Sequence, residues 1–104
     1  MFDTLKQLFS STSSNSLKEV LADAYLVDVR TRDEFSEGSV KGAVNIPLDQ
    51  IQQNAAKFKG KKNIVVFCRS GMRSSQAKSI LERMGFDNVT NGGTWHNVQN
   101  QLSN

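Results

Sequence analysis

One cysteine stands among the 104 residues, Cys68, and its neighbours mark it as the place where covalent chemistry would begin. It follows Ile64-Val65-Val66-Phe67 directly and runs into Arg69-Ser70-Gly71-Met72-Arg73-Ser74-Ser75. The four apolar residues read as a buried strand. Beyond the loop, Ala77, Ile80, Leu81 and Met84 recur at i, i+3, i+4 and i+7, one apolar face of a helix beginning near Ser74. Cys68 therefore belongs to a strand-loop-helix turn. Backbone N–H groups and the positive end of a helix converge at such a turn, and both favour a thiolate or a bound anion over a thiol whose free pKa is about 8.5. Gly71 allows the bend that aims the amides of Arg69 to Ser74 at the sulfur. Arg69 and Arg73 offer planar guanidinium groups suited to an oxyanion, and the sequence leaves open which of the two turns inward.

A second charged group follows another apolar run, Tyr25-Leu26-Val27, where Asp28 and Arg30 mark a strand end and Glu34 lies four residues beyond Arg30. The spacing predicts an Arg30–Glu34 pair bracing the floor of the site, because an arginine directly after a buried strand end seldom faces open water. His96 reads as a surface or capping histidine and its neighbour Trp95 as a core residue that closes the domain. A lone cysteine and a lone histidine give neither CxxC nor Cys/His metal spacing, so no metal and no cofactor are expected.

Positioning these groups requires several elements. Leu5, Leu8 and Phe9 share a helical face over residues 2–9, capped by Asp3 or Thr4, and predict a short helix docked on the domain. Ser10 to Ser16 is polar throughout and reads as a linker. The division is thus 1–15 as short helix and linker, and 16–104 as the folded domain. Ser16-Leu17-Lys18-Glu19 has the form of a capping box and predicts a helix to about Ala22 with Leu17, Val20 and Leu21 inward. Arg32 to Ser36 suits one or two helical turns. Gly38 to Pro47 suits a tight turn and a short strand ended by the proline. Asp49 is placed to cap a helix burying Leu48, Ile51, Ala55 and Phe58. Lys57, Lys59, Lys61 and Lys62 around Gly60 read as a solvated turn. Gly85 is a natural residue just past the end of the central helix. Asp87 to Thr90 predicts a last short strand, Asn91-Gly92-Gly93 a turn, and Thr94-Trp95 the start of a closing helix. Strands alternating with helices at this spacing mean an α/β domain with a mainly parallel sheet, in which ligands collect beyond the carboxyl ends of the strands.

Composition agrees with one modest core: 38% hydrophobic and 22% charged residues are the proportions of a globular domain rather than of disorder. A net charge of +3 tilts the chain toward anionic ligands but is too small, without an aromatic-interleaved basic stripe, to predict nucleic-acid binding. No apolar run approaches a membrane span, and Met1 to Phe9 lacks the apolar core of a signal peptide, so a cytoplasmic, reducing location and no membrane partner are expected.

Three stretches together resemble the rhodanese family of single-domain sulfurtransferases: Leu26-Val27-Asp28-Val29-Arg30 with Asp33-Glu34-Phe35; Gly38 to Pro47 in the form G-x-V-x-G-A-x-N-I-P; and Cys68-Arg69-Ser70-Gly71-Met72-Arg73. Gly92-Gly93-x-Trp95 also fits, and the likeness spans roughly residues 16 to 98. The resemblance implies a three-layer α/β fold with a central five-stranded, mainly parallel sheet flanked by helices. It implies that Cys68 takes a sulfane sulfur from thiosulfate or a related donor as a persulfide and passes it to cyanide or a thiol. The loop residues Arg69, Ser70, Gly71, Met72, Arg73 and Ser74 would cradle that sulfur, and Asp28, Arg30 and Glu34 would support the loop. A sulfur-relay protein as partner, with the chain acting as a non-catalytic persulfide carrier and residues 1–15 as its docking element, is the alternative. The phosphatase branch of the family has a longer C-x5-R loop with histidine before the cysteine; here Phe67 precedes Cys68 and the arginine stands at the fifth position, with Ser74 at the sixth. The shorter loop suits a sulfur better than a tetrahedral phosphate. Ser39 stands where the family commonly has histidine, a position expected to affect the turn more than the chemistry.

Overall fold

Ile64-Val65-Val66-Phe67-Cys68 is buried at every position, which a strand achieves only when both of its faces are covered. The structure, a computed structural model, describes residues 14–103 and shows how that cover is arranged. The helix expected over 2–9 and the linker residues 10–13 lie outside the described residues. In chain order the elements are α1 (Ser14–Leu21), β1 (Tyr25–Asp28), α2 (Arg32–Glu37), β2 (Val44–Asn45), two 3-10 segments (Leu48–Gln50 and Gln52–Phe58), β3 (Ile64–Cys68), α3 (Met72–Arg83), β4 (Val89–Thr94) and α4 (Trp95–Ser103). The strands lie in the order β2-β1-β3-β4 with every pairing parallel. Alternate side chains of β3 enter two cores. Ile64, Val66 and Cys68 pack with Val27, Val29, Ile51, Phe58, Ala77 and Leu81, while Val65 and Phe67 pack with Leu17, Leu21, Val40 and Val98. One face of the sheet is thereby covered by α3 and the 3-10 segments, and the other by α1 and α4.

The α/β class and parallel sheet are as expected, but the sheet has four strands among the described residues rather than five. Upstream of β1 the described chain is helical from Ser14 to Leu21, which leaves no extended stretch there for another strand. For the same reason Ser14 and Asn15 are helix rather than linker, and Ser16 sits inside α1 and not at its cap. The helix expected after Asp49 is replaced by the two 3-10 segments. Asn54 leaves helical angles (φ −108°, ψ 24°), and Asp49 makes no capping bond. Three residues per turn still bring Leu48 and Ile51 to one side, and Ile51 and Phe58 are buried as expected. The central helix starts at Met72, earlier than expected, and ends as expected at Gly85, whose φ is +101°. There the Gly85 N–H donates to the Glu82 carbonyl and the Phe86 N–H to the Leu81 carbonyl, the paired bonds of a Schellman ending. Asn91-Gly92-Gly93 is not a turn but part of β4, which carries a register shift opposite Val66 and Phe67. Gly92 is required there by close approach: a Cβ would lie 2.7 Å from Val98 Cγ2 and 3.0 Å from Val65 Cγ1.

Candidate active site

Cys68 is the last residue of β3, and the chain turns from it into α3 through Arg69, Ser70 and Gly71. Gly71 precedes the helix at φ +94°, a left-handed conformation that costs an L side chain strain. This conformation turns the Gly71 N–H onto Cys68 Sγ at 3.0 Å, and the Ser74 N–H, in the first turn of α3, reaches the same sulfur at 3.4 Å. The Ser74 hydroxyl stands 3.4 Å from Sγ. Burial pushes the thiol up, but the Ser74 hydroxyl and the amides of Ser74, Gly71 and Ser70 outweigh it, and the net shift is downward, toward the thiolate. Backbone amides and one hydroxyl thus face the sulfur together.

The two arginines of the loop have different surroundings. Arg73 donates to both carboxylate oxygens of Glu34, at 2.7 and 3.0 Å, which ties the first turn of α3 to α2. The Arg73 hydrogen bond, followed by the Thr31 N–H, holds the Glu34 carboxyl down to about 2. Arg69 is exposed, makes no hydrogen bond or ion pair among the described residues, and borders a cleft of about 270 Å³ shared with Arg30, Glu37, Gly38, Trp95 and His96. Ser70 and Met72 are exposed, Met72 to 73%. Cys68 itself is 0% exposed.

The expected Arg30–Glu34 pair does not form. Glu34 is taken by Arg73, and by the Thr31 cap of α2, while Arg30 turns back on Asp28. Asp28 Oδ1 accepts the Arg30 backbone N–H at 2.9 Å, and the guanidinium donates to both Asp28 oxygens at 2.7 to 3.0 Å. A further guanidinium N–H reaches the Gly38 carbonyl at 2.6 Å, and the group lies 5.2 Å from the Trp95 ring centroid. Asp28 and Arg30 are both buried, so the pair fixes the β1 end beneath the cleft. Ser39 acts beyond its own turn: its hydroxyl donates to Asp28 Oδ2 at 2.6 Å. Trp95 opens α4 as predicted, with His96 exposed and its ring 3.9 Å from that of Trp95.

Sequence reasoning missed two groups. The Thr31-x-x-Glu34 capping box was readable from its own spacing. Asn91 was not, because what matters is its position across the sheet: its Oδ1 accepts the Ser74 hydroxyl at 2.7 Å and the Gly93 N–H at 2.9 Å.

Comparison with known proteins bears on this geometry. The rhodanese-like domain family model matches residues 13–94. The thiosulfate sulfurtransferase PspE of Escherichia coli is 38% identical over 76 residues, covering 71% of this chain and 73% of that protein. A sulfurtransferase of Allochromatium vinosum is 33% identical over 87 residues, covering 81% of each chain. A solved structure described as a rhodanese with anions from Escherichia coli superposes with a TM-score of 0.65 at 36% identity, covering 71% of this chain and 89% of that one.

Proposed function

Because the chain belongs to the family of rhodanese-like domains, we propose that it transfers sulfane sulfur through a persulfide on Cys68. The thiolate attacks the outer sulfur of thiosulfate; the new Cys68 S–S bond forms as the sulfur–sulfur bond of the donor breaks, and sulfite leaves with the bonding pair. The terminal sulfur of the persulfide is then attacked by cyanide or a thiol, which departs with it and returns the Cys68 thiolate. Neither step needs a proton shuttle, a metal or a cofactor. The observation that supports this reading best is the sulfur at the strand end, faced by the amides of Gly71 and Ser74. Those donors suit the thiolate first and the persulfide afterwards. Arg69, the loop arginine not engaged by a carboxylate among the described residues, is the residue that meets the sulfonate end of the donor, while Arg73 braces the loop through Glu34.

Steady-state kinetics with thiosulfate and cyanide test the reading. Parallel lines in double-reciprocal plots and loss of turnover in Cys68→Ser are expected. Turnover persisting in Cys68→Ser would overturn it, and stoichiometric sulfur loading without turnover would make the chain a carrier for a partner protein.

A further inference from the structure

The Ser74 hydroxyl has one proton and three acceptors within reach: Asn91 Oδ1 at 2.7 Å, the Gly71 carbonyl at 3.1 Å and Cys68 Sγ at 3.4 Å. Asn91 is oriented by the Gly93 N–H, which can only donate and therefore fixes the amide oxygen on this side. With the hydroxyl proton drawn to Asn91, Ser74 Oγ is left to accept from the S–H of a neutral Cys68. When the sulfur ionises, the hydroxyl must turn away from Asn91 to donate to it.

We propose that Asn91 is a positioning residue that sets the thiol–thiolate balance of Cys68 by competing with the sulfur for the Ser74 proton. The proposal rests on Cys68 being the reacting group, but it concerns the sulfur-free protein and is read without any sulfur donor. Of the other ionisable groups around the site, Arg69, next to the sulfur in the chain, is exposed at the cleft and the same in every variant compared, so it does not alter the differences between them. On α3, Arg73 is held by Glu34 of α2; on β1, Asp28 stands opposite Phe67 and is bound by Arg30; on α4, His96 lies at the cleft against Trp95. β4 carries no ionisable side chain, so Asn91 is its means of acting on the sulfur.

The test is the ultraviolet absorbance of the thiolate against pH, which reports Cys68 alone because it is the sole cysteine. Burial raises the Tyr25 phenol, which keeps its ionisation away from that window. Asn91 is exposed, so Asn91→Ala leaves the core intact. It removes the nearest competing acceptor, leaving the hydroxyl to the sulfur and the Gly71 carbonyl, and moves the midpoint down, raising the thiolate fraction below the midpoint by up to roughly fivefold, the effect of about one fully redirected hydrogen bond. Asn91→Asp keeps both bonds of the amide oxygen but pulls harder on the hydroxyl and adds a negative charge, so the midpoint moves up. In a Ser74→Ala background, Asn91→Ala has no effect. A midpoint unmoved by Asn91→Ala, or moved equally with and without the Ser74 hydroxyl, would overturn the proposal. If the midpoints move as expected while Cys68 takes no sulfur from thiosulfate, the transfer reading fails and this one stands.

Discussion

At the scale of single residues, the proposed chemistry rests on favouring the thiolate of a buried sulfur without a general base. Desolvation opposes this, and the hydroxyl of Ser74 with the amides of the loop reverses it. Ser74→Ala removes one of these donors, so the acid limb of the pH–rate profile for sulfur transfer should move to higher pH and the rate at neutral pH should fall. Arg69→Gln should raise the KM for thiosulfate about tenfold with a smaller change in kcat, the effect of a charge-assisted contact at an exposed rim. Cys68, the loop and the end of the helix at Gly85 were legible because each is written in consecutive residues. The side-chain partners that come from other elements were not. Arg73 meets Glu34 from 39 positions away, and Ser39 meets Asp28 from 11, distances over which spacing says nothing about contact.

At the scale of elements, two ion pairs hold the loop's surroundings and differ in burial. Asp28–Arg30 is almost wholly inside, so Asp28→Ala leaves a buried guanidinium without its charge partner and should cost about 3–5 kcal/mol in denaturant unfolding. Glu34–Arg73 is partly solvated, with side chains 25% and 33% exposed, and Glu34→Gln should cost only about 0.5–1 kcal/mol. Its pH dependence has a definite sign. The folded carboxyl is depressed to about 2 from an ordinary 4.5, so the contribution is complete above that ordinary value and disappears as pH falls through about 2. Glu34→Gln should therefore flatten the stability profile in that acidic window and leave it unchanged at neutral pH apart from a constant offset. The bulge of β4 shows why a turn was expected where a strand lies: two glycines in a row read as a turn, but Gly92 is there for the approach of Val98. Gly92→Ala should cost about 1–3 kcal/mol through overpacking.

For the whole molecule, the order of strands and helices made the α/β class legible, since β3 could be buried throughout only between two layers. The number of strands was not so readable, because the described chain before β1 is helix. The parallel sheet brings the ends of β1 and β3 to one side, where Arg69, Trp95 and His96 border the cleft beside the loop that covers Cys68. Among the described residues no helix is long and apolar enough to cross a membrane. The central claim is that Cys68 accepts a sulfur atom from a sulfane donor. Mass spectrometry of the intact chain and of its Cys68 peptide after incubation with thiosulfate tests this most directly. The account predicts a gain of one sulfur atom on Cys68, removed by cyanide and absent in Cys68→Ser; an unmodified Cys68, or sulfur gained equally by Cys68→Ser, would contradict it.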